Sequence, residues 1–255
     1  MGVDDVLIVR CGQVPYEEAR AAQKRIEAAR QAGEVPDVLL LLEHPPVYTK
    51  GRRTEPGELG MGEDWYRMQG IEVCEADRGG RVTYHGPGQL VGYPIVSLKP
   101  YRDDVRAYVC RLERLMIESL GAYGVSAGVI DGLTGVWASD APIPDGASAA
   151  EMAGAVAEGT IRKIGSIGVH VNRSVTTHGF AVNVNNDLQP FEWVVPCGID
   201  GVRMTSLCRE LSGEQDMDGY LGQVAQRFAE IFGRRALEVS PAALDEMIGA
   251  GAPVR

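Results

Sequence analysis

The 255-residue sequence has no CxxC pair, no apolar run of membrane-spanning length and no excess of basic residues. A transmembrane helix needs roughly 18 or more consecutive apolar residues, so no membrane span is expected. The five cysteines (Cys11, Cys74, Cys110, Cys197 and Cys208) are odd in number and irregularly spaced. That excludes a disulfide framework or a zinc ribbon, and free thiols point to a reducing compartment. The formal net charge is −10 and the pI is near 5.0. A dedicated nucleic-acid binder carries a basic excess, so DNA and RNA are set aside as partners. The opening MGVDDVLIVR has no basic stretch ahead of an apolar core, so no secretory signal is expected and a cytoplasmic protein is the default. His44, His85, His178 and Cys74 show no ligand spacing, so no metal is expected.

With 45% hydrophobic and 24% charged residues, the chain can bury one substantial core. A single catalytic domain over 1–255 is the expectation. Asp4–Arg10, Asp37–Glu43 with its four leucines, Ile71–Ala76 and Leu90–Leu98 read as strands. Residues 15–32, 103–120 and 217–232 carry apolar residues at helical spacing. Residues 125–137 read as a hairpin turning at Asp131-Gly132, residues 163–184 as further strands, and Ser240-Pro241 as the start of a last short helix. Many short strands with helices at the ends and in the middle predict an α+β fold. Residues 138–160 hold eight Ala, three Gly, two Pro and no aromatic. They are read as a flexible insertion loop; the alternative is a short Ala-rich helix at 148–157.

Two features suggest chemistry. The stretch from Arg78 to Gln89 has five glycines or prolines, so its backbone can approach a ligand closely. It is neither a Walker loop nor a Rossmann fingerprint, because no Gly-Lys-Ser/Thr follows and the glycine spacing is wrong. Cys197 lies between Pro196 and Gly198, a turn context that can present a nucleophilic sulfur, whereas Cys74 and Cys110 read as core residues. A thiol of reference pKa about 8.5 needs a neighbouring base or cation. His178 and Lys163 are the candidates. A lysine aimed inward can act as a base near neutral pH, and one aimed outward cannot. A papain-like set of Cys197, His178 and Asn183 has none of that class's local signatures.

Four stretches together resemble the lipoyl(octanoyl) transferases. They are Arg78-Gly79-Gly80 with Thr83-Tyr84-His85-Gly86-Pro87-Gly88-Gln89-Leu90-Val91-Gly92-Tyr93-Pro94; Lys163-Ile164 with Ile167-Gly168-Val169; His178-Gly179-Phe180-Ala181 with Asn183; and Val195-Pro196-Cys197-Gly198-Ile199. The resemblance covers about residues 4–235. It implies the fold of the lipoate- and biotin-protein ligases, a single α+β domain of mixed β-sheets flanked by helices. It implies a Cys/Lys dyad, which falls on Cys197 and Lys163. Family substrate contacts fall on Arg78, Gly79, Gly80, Arg81, Val82, Thr83, Tyr84 and His85, on Ser166, Ile167 and Gly168, and on Gly179, Phe180 and Ala181.

The implied reaction takes octanoyl from octanoyl-acyl carrier protein to a lysine ε-amine through a thioester on Cys197. The acyl group arrives on the carrier's phosphopantetheine arm, so no separate cofactor is expected. The implied acceptors are lipoyl domains of 2-oxoacid dehydrogenase complexes and the glycine cleavage H protein. Backbone N–H groups near Gly79-Gly80 or Ile167-Gly168 are candidates for holding the oxyanion. Lys50, Arg52 and Arg53, the densest basic cluster, are a candidate carrier-docking patch in an acidic chain. The rivals are an ATP-dependent lipoate- or biotin-type ligase on the same fold and a non-catalytic acyl-binding module. Neither would need Cys197.

Overall fold

The computed structural model describes residues 4–194 and 202–249. In chain order the elements are β1 (Asp5–Gln13), α1 (Tyr16–Ala32), β2 (Asp37–Glu43), β3 (Val47–Lys50), α2 (Glu63–Met68), β4 (Glu72–Glu75), β5 (Thr83–His85) and β6 (Gln89–Ile95). There follow α3 (Val105–Gly121), β7 (Ala127–Ile130), β8 (Leu133–Ser139), α4 (Ala149–Glu158), β9 (Ile161–Asn172) and β10 (Val175–Asn183). The last are α5 (Gln189–Glu192), α6 (Leu207–Glu210), α7 (Met217–Phe232), β11 (Arg235–Glu238) and α8 (Pro241–Met247). The expected α+β class is what the structure has.

The four leucines of β2 explain the layering. Successive strand residues face opposite sides, so a strand covered on both faces reads as continuously apolar. Leu39 and Leu41 pack on one side with Leu90, Phe180 and Val182, against Leu112, Leu115 and Met116 of α3 and Val224 and Phe228 of α7. Leu40 and Leu42 pack on the other with Val91, Tyr93 and Ala181, against Ala19 and Ile26 of α1 and Leu244 of α8. The sheet between these layers runs β11-β1-β2-β6-β10-β9-β8-β7. β11, β1 and β2 are parallel, and the remaining pairs are antiparallel. A second sheet, β4-β3-β5, stands beside it and packs Tyr48, Val82 and Tyr84 against Tyr66 and Phe191.

The stretch 138–160 departs from the loop expectation. Residues Ala149–Glu158 form α4, which starts at a capping box: Ser148 Oγ accepts from Glu151 N–H, and the Glu151 carboxylate accepts from Ser148 N–H. Gly159, at φ 80°, closes the helix in the left-handed conformation. Val156 packs with Ile130, Trp137 and Ile161. Cys110 also departs from expectation. It is exposed on α3, because the buried stripe runs through Tyr108, Leu112, Leu115 and Met116.

One buried carboxylate ties distant segments together. Asp37, at the head of β2, is 2% exposed. It accepts from Arg30 Nε at 2.8 Å, Arg234 Nε at 3.0 Å and the Ser97 backbone N–H at 3.0 Å. Removing it would leave two guanidinium groups partly buried without their anion. Asp37→Ala should therefore lower unfolding free energy by about 3–5 kcal/mol. Urea denaturation checks this, and a loss under ~1 kcal/mol would show that the anion is dispensable.

Candidate active site

A cleft of about 360 Å³ opens between β6, β10 and β9 of the main sheet and the loop after β4. β6, β10 and β9 lie side by side there, with Val91 opposite Ala181, Ala181 opposite Ser166 and Gly179 opposite Gly168. The small residues are required by close approach. A Cβ on Gly179 would collide with the Gly92 carbonyl, and one on Gly168 would sit 2.9 Å from Arg78 Cδ and 3.0 Å from Gly79 O.

Arg78 builds the roof. Its guanidinium is buried and donates to Thr49 Oγ1 and Thr49 O, both at 2.7 Å, and to Gly79 O and Arg81 O. Gly79 N–H donates to Val169 O at 2.9 Å, which anchors the loop on β9 and removes that N–H from the candidate oxyanion donors. Arg81 is held by Glu55 and Glu58.

The cleft brings together Arg78, Gly79, Gly80, Arg81, Val82, Thr83 and His85 with Ser166, Ile167, Gly168, Gly179, Phe180, Ala181 and Lys163. Tyr84 does not join them. It alternates with Thr83 and His85 along β5, so it faces the opposite way and packs on Tyr48 and Phe191. Cys197 lies outside the described residues. The structure adds lining residues outside the expected substrate contacts: Tyr16, Arg53, Tyr93, Val109, Thr134, Trp137 and His178. Val109 lies in the helix that apolar spacing marks over 103–120. Nothing in local sequence marks Tyr16 or Trp137.

Lys163 points inward. It is 4% exposed, donates from Nζ to Thr134 O at 3.0 Å, and lies 5.5 Å from the centre of the Trp137 ring. Its backbone is held from both sides by the chain that follows the Cys197 segment: Lys163 N–H donates to Arg203 O at 2.8 Å, and Thr205 N–H donates to Lys163 O at 2.9 Å.

Polar side chains at and behind the cleft wall are paired in three separate groups. His85 Nδ1 lies 2.6 Å from Gln89 Oε1, an acceptor, so Nδ1 carries the proton. Gln89 Nε2 donates to Asn183 Oδ1, and Asn183 Nδ2 donates to Thr205 O. His44 Nδ1–H donates to Val14 O, and His44 Nε2 accepts from the Tyr93 hydroxyl. His178 donates from Nε2 to Asp77 at 2.6 Å, and its backbone sits at φ 56°, rare for a non-glycine. Burial lowers His44 to about 4 despite its bond to Val14. It lowers His178 to about 4 despite Asp77. Burial, with the nearby His44 and Arg78, holds His85 well below its ordinary value.

Cys11 and Cys74 are poor nucleophiles. Burial, with Asp245 nearby, pushes Cys11 up to about 12, and burial with Glu17 and Glu72 pushes Cys74 up to about 11. The proposed basic patch is partly neutralised, since Lys50 Nζ pairs with Glu63 at 2.8 Å and Glu75 at 2.6 Å.

A glycine-roofed cleft on this two-sheet frame, with Lys163 turned inward, is the candidate catalytic site. The chain belongs to the lipoyl protein ligase A/B catalytic domain family, which matches residues 15–230. An octanoyltransferase from Solibacter usitatus is 41% identical over 221 residues, covering 87% of this chain and 90% of that protein. One from Acidothermus cellulolyticus is 46% identical, covering 78% of this chain and 80% of that protein. One from Myxococcus xanthus is 40% identical over 94% of this chain, which spans 63% of that protein. Among solved structures, a bipartite lipoate protein ligase from Thermoplasma acidophilum superposes with TM-score 0.69 at 16% identity, over 96% of this chain and 90% of that one. A lipoate-protein ligase A bound with ATP gives the same score and identity, over 96% and 91%. These two share the fold.

The three histidines set a pH dependence. Their folded values lie below the roughly 6.5 of an unfolded histidine. Above that pH both states are neutral at these positions and nothing changes. Between pH 6.5 and 4 the unfolded chain takes up protons that the fold refuses, so stability falls on acidification, by up to about 1.4 kcal/mol per pH unit for each histidine. The urea midpoint should be flat above pH 7 and drop between pH 6.5 and 4.5, with a shallower drop in His44→Gln. A midpoint that holds or rises on acidification contradicts the neutral assignment.

Proposed function

We propose that this cleft carries out octanoyl transfer in protein lipoylation, from octanoyl-acyl carrier protein to a lysine ε-amine on a lipoyl domain. The chain is an acyltransferase of the octanoyltransferase class. The observation that carries the site assignment is the buried Lys163 side chain at the cleft wall, its backbone hydrogen-bonded to the segment emerging from Cys197. The Cys197 sulfur attacks the thioester carbonyl while Lys163 Nζ takes the thiol proton. The carbonyl's bond to the carrier sulfur breaks, and the departing thiolate takes the proton from Lys163. One thioester has replaced another, so the step is near balance.

In the second step the acceptor lysine amine attacks the Cys197 thioester. Lys163 moves the proton from the attacking nitrogen to the departing Cys197 sulfur. An amide replaces a thioester, which drives transfer forward. The acyl tail lies along the floor made by Val91, Ala181, Ser166, Gly168 and Gly179, where each buried methylene contributes about 0.8 kcal/mol. The neutral histidines suit an apolar guest, since no charge on them has to be desolvated. Acceptors of this chemistry are the lipoyl domains of 2-oxoacid dehydrogenase complexes and the glycine cleavage H protein.

Intact mass after mixing with octanoyl-acyl carrier protein tests the intermediate. The wild-type protein should gain one octanoyl group, Cys197→Ser should gain none, and Lys163→Ala should acylate about 10²–10⁴-fold more slowly. An adduct persisting in Cys197→Ser, or full-rate acylation in Lys163→Ala, overturns the dyad.

A further inference from the structure

Charge around the cleft is arranged unevenly. Five carboxylates lie close to its mouth and the adjoining shallow depression, and each has a cation or a donor. Glu55 and Glu58 hold Arg81, Glu63 and Glu75 hold Lys50, and Asp77 takes Lys24 and the His178 N–H. Arg52 and Arg53 stand apart from this pairing. Both are exposed, and neither has an acidic partner among the described residues. Arg53 lines the cleft, and Arg52 lines the depression next to it.

The loop bearing them is held rigidly. Arg52 N–H donates to Arg78 O and Arg53 N–H to Gly80 O, both at 3.0 Å, and Thr54 N–H donates to Gly51 O at 3.0 Å. Gly51 is pressed so close that a Cβ there would collide with Gly80 O. The pinned backbone places two exposed arginines side by side in sequence, and the planar fork of arginine suits a phosphate oxygen pair. In a chain of net charge −10, such a site beside a cleft for an acyl thioester selects an anion that travels with the donor.

We propose that Arg52 and Arg53 bind the phosphate of the donor's phosphopantetheine arm, and so select phosphate-bearing acyl donors. The assignment rests on the octanoyl-transfer reading. Lys50, grouped with them on sequence, is excluded because Glu63 and Glu75 already compensate it.

Two donors that differ only in the phosphate test it: octanoyl-phosphopantetheine and octanoyl-pantetheine, each with a lipoyl-domain acceptor. The readout is the ratio of kcat/KM for the two. The wild-type ratio should exceed unity by about tenfold or more, as a charge-assisted hydrogen bond implies. It should collapse toward unity in Arg52→Ala/Arg53→Ala and fall below unity in Arg52→Glu/Arg53→Glu. A wild-type ratio near unity, or a ratio that the variants leave unchanged, overturns the proposal. So does a variant effect confined to the KM of the acceptor, which would assign the pair to acidic groups on that protein. A wild-type protein that turns over octanoyl-acyl carrier protein but neither free donor overturns this site alone, and one that turns over none of the three refutes the octanoyl-transfer reading as well.

Discussion

The Arg78 guanidinium bonds at once to Thr49 on β3 and to the carbonyls of Gly79 and Arg81. It therefore fixes the smaller sheet, and the loop that roofs the cleft, in one position over β9. Gly168 and Gly51 have no side chain because this guanidinium and its loop occupy that space. A positive charge held under a roof and saturated by carbonyl oxygens stiffens a loop that glycine would otherwise leave mobile. The cleft exists because a charge is buried beside it and satisfied away from it.

Beneath that roof the polar groups are paired in series and mostly uncharged. His85, Gln89, Asn183 and Thr205 form one run, and Thr205 leads back to the Lys163 backbone. Each member fixes the donor or acceptor role of the next, so the tautomers follow from the partners. This run also joins the floor of the cleft to the chain that emerges after Cys197. His85 and the Lys163 backbone are thus joined through one run of hydrogen bonds.

The sequence made the long elements readable and the short ones opaque. β2, α3 and α7 carry enough apolar residues for periodicity to mark them, and Ser240-Pro241 marked α8. β3 and α2 have four and six residues, too few for a pattern, and their packing on Tyr48 and Tyr66 supplies what propensity does not. α4 is the Ala-rich helix that stood as the alternative to a loop, and Ser148 and Glu151, which spell a capping box at the required spacing, are the signal that favours the helix. The direction of Lys163 was unreadable for another reason. Val136 pairs with Gly165 and Trp137 with Lys163, so one step on β8 matches two on β9. That bulge breaks the two-residue alternation by which strand faces are read, and only pairing with β8 reveals it. The positive φ of His178 is likewise imposed by its setting, since Gln23 takes the backbone N–H and Asp77 the ring.

The same frame serves a lipoate ligase solved with ATP at only 16% identity, so the frame itself does not choose the chemistry. Inside this cleft the cations are engaged by the protein: Arg78 by Thr49, Gly79 and Arg81 carbonyls, Arg81 by Glu55 and Glu58, and Lys163 by Thr134 O. Arg52 and Arg53, which have no acidic partner among the described residues, stand on the loop at the mouth. An interior so arranged suits an uncharged acyl chain and disfavours a polyphosphate, whose desolvated charge would find few cations to meet it. A donor that keeps its phosphate outside and sends a neutral thioester inward matches this division.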